Sequence, residues 1–201
     1  MSQIIKAVKH PRKAFRVIFS TMINVLKFKR KGVVFKECPH FDGLIIVSKS
    51  KGATIRIGED VYMNSGRKCN PVGFEHRMMI SAAGDGAIEI GNHVGMSNTV
   101  LYSTNSIIIE DGVLLGNGVK IYDTDFHSMD ITKRSSGHSD DDTRTLPVLI
   151  CNNAFVGAGT TILKGVTIGA NSVIGACSVV AKNIPENQVW AGNPARFIRN
   201  I

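Results

Sequence analysis

Aromatic side chains are scarce in this chain of 201 residues, at 6% with a single Trp. A globular core ordinarily takes much of its bulk from Phe, Tyr and Trp. This one is therefore expected to be packed with small and aliphatic side chains, and 20 glycines point to a tightly turning backbone. No run of about 18 apolar residues exists, so no transmembrane helix is expected. Paired metal-binding cysteines are missing too. Cys38, Cys69, Cys151 and Cys177 are scattered, and nothing completes a zinc site around Cys38 and His40. Reduced, structural thiols are the expectation, which suits the cytoplasm. Acidic residues are absent from residues 1–36, which hold ten of the 24 Lys and Arg. The rest of the chain carries 14 basic against 16 acidic side chains, so the net charge of +8 belongs to one end. A body of that balance gives no reason to expect nucleic-acid binding. Ala14 to Leu26 resembles an export signal only in hydropathy: Arg16 interrupts it, Lys27-Phe28-Lys29-Arg30-Lys31 follows, and no small-residue cleavage site appears. No export signal is expected.

What is present is a period of six. From Ile150 the residues Val156, Ile162, Ile168, Ile174 and Val180 follow at intervals of six. Ala154, Thr160, Val166, Ser172, Ser178 and Ile184 hold a second position, small or β-branched, and Gly157, Gly169 and Gly175 a third. The same spacing joins Ile90, Met96 and Tyr102, slips by one residue, and resumes at Ile109, Leu115 and Ile121. Residues 64–87 carry no assignable phase. Six fits neither the 3.6 of a helix nor the 2 of an alternating strand. It fits a coil that turns a corner every six residues, three short strands closing one triangular turn, each coil buried only by its neighbours. The expected fold is mainly β, a parallel β-helix with a short N-terminal helical segment and one extruded loop.

Phe155 to Arg199, FVGAGTTILKGVTIGANSVIGACSVVAKNIPENQVWAGNPARFIR, resembles the C-terminal signature of the hexapeptide-repeat acyltransferases. Within that family it is most similar to the maltose, galactoside and capsular-polysaccharide O-acetyltransferase branch. With the DTDFH stretch and the preceding coils, the resemblance spans about residues 53–201. It implies a left-handed β-helix, an exception to the usual crossover hand, a homotrimer, and acetyl-CoA as acyl donor with no metal required. The expected organisation is a basic amphipathic segment at 1–36 and a transferase domain at 37–201, with a loop at 128–145 and a C-terminal tail at 185–201.

The regular coils are expected to break once, after Ile121, at YDTDFHSMDITKRSSGHSDDDTRTLPV. A polar insertion of 18 residues (128–145) is long for a structureless connection, and such loops are usually functional. His127 stands at its entrance, where the resemblance places the base that deprotonates the acceptor hydroxyl. The chemistry agrees independently, because acyl transfer from a thioester to an alcohol needs a proton removed and imidazole titrates near neutrality. Asp123 and Asp125 are close enough in sequence to orient the ring through its other nitrogen, and a backbone carbonyl could do the same. Cys151 and Cys177 occupy ordinary repeat positions, which favours direct attack on the thioester over an acyl-cysteine. His138, inside the loop, reads as a surface residue.

For the donor, a pantetheine arm needs an exposed row of small residues. Gly157, Ala158, Gly175 and Ala176 supply one, and the resemblance implies donor contacts at Ala158, Ala176, Ala181 and Lys182. Lys182 and Arg196 match the cations expected near the phosphates, with Arg199 weaker. The family often has Trp where this chain has Phe155. Asn98 is a candidate acceptor contact, and a sugar or polysaccharide-precursor hydroxyl is the expected acceptor. Alternatives on the same scaffold are N-acetylation of an amino sugar or antibiotic, a γ-class carbonic anhydrase, which would need three zinc-bound histidines, or a non-catalytic scaffold.

At the other end, Pro11 can open a helix on which Phe15, Ile18, Phe19, Met22 and Leu26 share one face. Lys and Arg flank it on both sides. Two uses are open and compatible: peripheral contact with an anionic membrane, at the inner face of a cytoplasmic membrane, or an end cap whose apolar face covers the core of the β-helix.

Overall fold

The computed structural model describes residues 11–67, 69, 72–73, 76–135 and 142–201. Helix α1 (Pro11–Arg30) opens the chain. Six coils of three strands follow, and each strand pairs in parallel with its counterpart one coil on. The first coil is β1 (Val34–Phe35), β2 (His40–Asp42) and β3 (Ile46–Lys49); the second is β4 (Thr54–Ile57), β5 (Tyr62–Asn64) and β6 (Met79–Ala82). The third is β7 (Ala87–Ile90), β8 (Gly95–Ser97) and β9 (Val100–Ser103); the fourth is β10 (Ser106–Ile109), β11 (Leu114–Leu115) and β12 (Lys120–Tyr122). After a long excursion come β13 (Val148–Ile150), β14 (Phe155–Val156) and β15 (Thr161–Ile162), then β16 (Thr167–Ile168), β17 (Val173–Ile174) and β18 (Val179–Val180). β19 (Gln188–Ala191) extends the second sheet, and β20 (Arg196–Asn200) turns back antiparallel on it. The architecture is a left-handed β-helix with three flat walls.

The period of six is set by backbone conformation as much as by hydrophobicity. Asn153, Gly159, Gly165, Asn171 and Cys177, six residues apart, all have φ between 57 and 75°. That left-handed region is cheap for Gly and tolerated by Asn, so the corners recur where those residues recur. Between corners, inward residues stack on their equivalents in the neighbouring coils, one ladder on most of each wall and a second, Ile55, Ile88, Ile107 and Val148, on the first. One wall stacks Ile57, Ile90, Ile109, Ile150 and Ile168. The second stacks Phe41, Met63, Met96, Leu115, Val156, Ile174 and Trp190. The third stacks Val47, Ile80, Leu101, Ile121, Ile162 and Val180. Aromatic side chains close the ends of this aliphatic prism: Phe28 meets Phe41 edge-on at 5.3 Å at one end, and Trp190 plugs the other.

Three expectations need correction. Leu101, not Tyr102, is the inward residue of β9: it is fully buried and pairs with Ile121. The phase slips at Asn98, whose φ of 46° shortens the corner after Met96 to five residues, and Tyr102 is thereby turned outward. The coils also break twice. Residues 65–78 separate β5 from β6, and described residues at both ends are tied to the coils by side chains: Ser65 Oγ donates to Leu44 O at 2.6 Å and accepts from Met78 N at 3.1 Å. Asn117 Nδ2 adds a bond to Gly73 O at 2.6 Å.

The third correction concerns α1, which covers the free edge of the first coil with the side opposite its apolar stripe. Ser20, Asn24 and Phe28 are its buried residues. Asn24 donates to Gly43 O at 2.9 Å and accepts from Ile45 N at 3.1 Å; Ser20 Oγ accepts from Gly43 N at 3.2 Å. Arg16 grips both carboxylate oxygens of Asp42, at 2.7 and 2.9 Å. A first coil has no preceding strand, so its outward backbone groups need such partners. Hydrogen-bonding demand therefore decides which way the helix faces, and Phe15, Ile18, Phe19, Met22 and Leu26 all remain exposed. The apolar face does not cover the core.

Candidate active site

The second excursion leaves the wall after Tyr122 and returns at Val148. Its stem is firmly closed. Thr124 and Thr145 form an antiparallel bridge, Asp125 N donates to Arg144 O at 3.2 Å, and Leu146 N donates to Asp123 O at 2.9 Å. The departing strand thus carries five further ordered residues, 123–127, before the loop proper. Short helix α2 (Ile131–Ser135) follows, capped by Asp130, whose Oδ1 accepts from Thr132 N at 2.8 Å and from the Thr132 hydroxyl at 2.7 Å. Those two bonds, the hydroxyl's first, hold the Asp130 carboxyl below the usual carboxylate range. His138 lies outside the described residues.

Asp123 is fully buried and ties this stem to the corner of the coil below. Its carboxylate accepts from Ser103 Oγ at 2.6 Å, Thr104 N at 2.8 Å, Asn105 N at 2.9 Å and Thr104 Oγ1 at 3.3 Å. Asp125 forms an ion pair with Lys164, which sits on the equivalent corner of the next coil. These bonds of both carboxylates are directed to the coils on either side. Phe126, next along, has φ 65°. A bulky residue in that region costs on the order of 1–3 kcal/mol and persists only when its surroundings compensate. Here Tyr102 and Tyr122 do so, their rings 5.0 and 5.2 Å from the Phe126 ring. The turn puts His127 on the exposed surface.

Two hollows open beside this turn. One, of about 230 Å³, is lined by Tyr102, Thr104, Thr124, Phe126, Thr143 and Thr145. The other, of about 690 Å³, includes Asp125, Ser128, Asp130, Arg144 and Lys164. His127 stands between them in the chain: Phe126 lines the first, and Asp125 and Ser128 the second. Neither Phe126 nor Lys164 is a candidate from sequence. The signal for Phe126 was its place beside His127. For Lys164 it was the six-residue repeat, which puts it on the corner above the loop.

The donor candidates divide between two edges of the prism. Gly157 and Ala158 lie on the corner between the second and third walls, with Ala176 stacked one coil above. A Cβ on Gly157 would fall 2.5 Å from Ala176 N, so Gly is required there by coil stacking itself. Ala158 is half-buried and Ala176 exposed. Ala181 and Lys182 lie on the corner between the third and first walls, the edge from which the His127 excursion leaves two coils below. Lys182 extends its Nζ over the Trp190 ring, 5.0 Å from the centroid. Arg196 is exposed on β20 and donates to Ala195 O at 3.2 Å. Phe155 shows its ring on the outer face of the second wall. Asn98 is fully buried: its Oδ1 accepts from Gly66 N at 2.6 Å, and its carbonyl lies 2.8 Å from His76 Nε2. One chain thus places His127 and the Gly157 row on different edges of the prism.

Burial holds the Cys151 thiol above its ordinary range, aided by Glu110, which disfavours a ready thiolate there. Among the described residues, no group of three or more His, Cys, Asp and Glu is arranged to hold a metal ion. Among them also, no helix is long and apolar enough to cross a membrane.

Comparison with known proteins agrees with this architecture. Residues 147–182 match the family described as bacterial transferase hexapeptide (six repeats). The galactoside O-acetyltransferase of Escherichia coli (strain K12) is 39% identical over 115 residues, covering 57% of this chain and 54% of that protein. A solved galactoside acetyltransferase in complex with coenzyme A is 26% identical, covers 83% of this chain and 67% of that one, and gives a TM-score of 0.50. AntD, an N-acyltransferase from Bacillus cereus solved with dTDP and 3-hydroxybutyryl-CoA, is 20% identical over 87% of each chain at a TM-score of 0.65, a likeness of fold alone. The chain spans about half the length of the curated relatives it matches. Residues 147–182 thus match the hexapeptide repeat of bacterial transferases, and the chain as a whole is similar to hexapeptide-repeat acetyltransferases.

Proposed function

We propose that this protein is an acetyl-CoA-dependent O-acetyltransferase whose acceptor is a hydroxyl of a sugar or polysaccharide precursor, with His127 as general base. The observation that carries the reading is the stem of the second excursion. A buried carboxylate, an ion pair and a strained aromatic turn together fix the segment that carries one exposed histidine, whose chain neighbours Phe126 on one side and Ser128 on the other line two hollows. Its imidazole takes the proton of the acceptor hydroxyl as that oxygen attacks the thioester carbonyl. The tetrahedral intermediate then collapses, the carbon–sulfur bond breaks, and the proton passes to the departing CoA sulfur. A backbone N–H pointing at the carbonyl oxygen would stabilise the charge that develops there. No cysteine takes part, so transfer is direct.

The donor lies along the Gly157, Ala158 and Ala176 edge of one copy and meets Ala181 and Lys182 on the other edge of a neighbouring copy, with Lys182 and Arg196 toward the phosphates. Because that edge and His127 are on different corners of one prism, the reading calls for a homotrimer in which a neighbouring copy brings the two together. Residues 37–201 form the catalytic unit in this account, acting in the cytoplasm, with residues 1–36 in peripheral contact with an anionic membrane. Asp123 and Asp125 act by fixing the stem. Asn98 serves the acceptor indirectly, by holding the excursion at residues 65–78.

An acceptor screen with acetyl-CoA, following released thiol, tests the reading. Turnover on sugar hydroxyls that exceeds turnover on amino sugars and buffer supports it. Transfer to amines alone would move the protein to N-acetylation. No transfer, together with stoichiometric zinc in the purified protein, would move it to carbonic anhydrase chemistry.

A further inference from the structure

Helix α1 packs against the β-helix with the side that carries Ser20, Asn24 and Phe28, not with its broad apolar stripe. On a helix of 3.6 residues per turn, Ser20, Asn24 and Phe28 span an arc of about 80°, while Phe15, Ile18, Phe19, Met22 and Leu26 span about 100° on the opposite side. The five apolar residues are exposed by 72, 62, 49, 61 and 57% in that order. A helix of a soluble domain normally buries such a stripe. The inversion is built in, because five contacts lock its rotation: the Arg16–Asp42 pair, the two bonds of Asn24, and the two between Ser20 Oγ and the 41–43 backbone. Rolling the stripe onto the core would break all of them.

The charges around the stripe say what it meets. Arg12 and Arg30 lie about 20° beyond Phe19 at one edge of the arc, and Lys29 lies within it at the C-terminal end. The helix contains no Asp or Glu, and Lys27, Lys29 and Arg30 occupy its last turn. Arg12 and Lys13, in the first turn, oppose the helix dipole, so the helix gains nothing from them internally. The same stripe on a second copy would bring these cations face to face. An apolar strip with cations along one edge and at its C-terminal end matches the boundary of headgroups and acyl chains.

We propose that α1 is a displayed interfacial helix: the side carrying Ser20, Asn24 and Phe28 closes the first coil while its apolar face enters the surface of an anionic bilayer. This extends the peripheral placement proposed above and is independent of the transfer chemistry. The test uses the full chain with sucrose-loaded vesicles, either phosphatidylglycerol and phosphatidylcholine in equal parts or phosphatidylcholine alone. The expected result is sedimentation with the anionic vesicles at low salt, with release as salt rises. Phe15→Ser with Met22→Ser, and separately Arg12→Gln with Arg30→Gln, should each lower the partition constant at least about tenfold, in line with the apolar area and charge removed. Neither pair touches the Ser20, Asn24 and Phe28 contacts, so melting temperature and transfer to a soluble acceptor should stay as in the parent. Failure of the parent to sediment would overturn the proposal, as would equal binding to neutral vesicles or unchanged binding of the Phe15→Ser, Met22→Ser variant. So would a smaller oligomer for that variant in analytical ultracentrifugation, since the stripe would then be a contact between copies. Loss of acetyl transfer with vesicle binding intact would count against the enzymatic reading alone.

Discussion

Replacing Asp123 separates two accounts of the stem. In the structure its buried carboxylate accepts four hydrogen bonds, two from backbone N–H groups at Thr104 and Asn105 and two from hydroxyls at Ser103 and Thr104. Asp123→Ala leaves those two N–H groups without this acceptor. The hydroxyls can rotate toward others, and Ser103 Oγ already reaches Ala87 O at 3.0 Å. Bonds to a charged group contribute roughly 1.5–3 kcal/mol each, and an unsatisfied buried donor costs about 1–3 kcal/mol. With the two amides dominating, Asp123→Ala should destabilise by about 3–5 kcal/mol. Asp123→Asn keeps one acceptor oxygen and turns an amide N–H₂ toward donors, so about half that loss is expected. Urea unfolding at fixed protein concentration measures both, concentration being held because assembly shifts apparent stability. If Asp123 instead served only to orient the His127 ring, Asp123→Asn would leave stability within about 0.5 kcal/mol of the parent and lower kcat. That outcome would refute the structural role argued here.

Other residues give independent checks. Gly157→Ala, with its new Cβ 2.5 Å from Ala176 N, should destabilise by about 1–3 kcal/mol through overpacking between coils, measured by the same unfolding assay. Lys182→Ala and Arg196→Ala should raise the KM for acetyl-CoA more than they change kcat; unchanged donor affinity in both would move the donor phosphates away from these two cations. Asp60 lies 3.2 Å from both His93 Nδ1 and His40 Nε2, and these bonds, His93 first, lower its pKa. A carboxyl depressed in the folded state adds stability that is present above the unfolded value near 4 and lost as pH falls through the folded one. Thermal melts between about pH 6 and 2 should therefore fall more steeply for the parent than for Asp60→Asn, and parallel curves would contradict the assignment.

The six-residue period was legible because one physical requirement, a left-handed corner mostly at Asn or Gly, repeats with an inward aliphatic residue at a fixed distance from it. Val156, Ile162, Ile168 and Ile174 read directly as core for that reason. The signal failed where the corner shortened at Asn98, since a slip of one residue exchanges Tyr102 for Leu101 and reverses which side chain faces in. It failed again at 65–78, where the excursion is held by Ser65, Asn98 and Asn117, side chains whose partners are distant in sequence. The position of His127 at the mouth of the loop could be read from the break in the repeat. The bonds of Asp123 and Asp125 to the coils could not, because their partners Ser103, Thr104, Asn105 and Lys164 are distant in sequence. Helix α1 is the clearest case. Its stripe was visible, but which face it buries depends on unpaired backbone at residues 41–45, and nothing in the periodicity reports that.

The central claim is that the stem holds His127 to act on an acceptor hydroxyl. Turnover of His127→Ala, measured with acetyl-CoA and the best acceptor from the screen, tests it most directly when acetyl-CoA binding is followed in parallel by calorimetry. Loss of the base should lower kcat by about 10²–10⁴-fold with donor affinity within about twofold of the parent, since loss of a base alone leaves ground-state binding in place. A folded His127→Ala protein that turns over at near the parent rate would contradict the account.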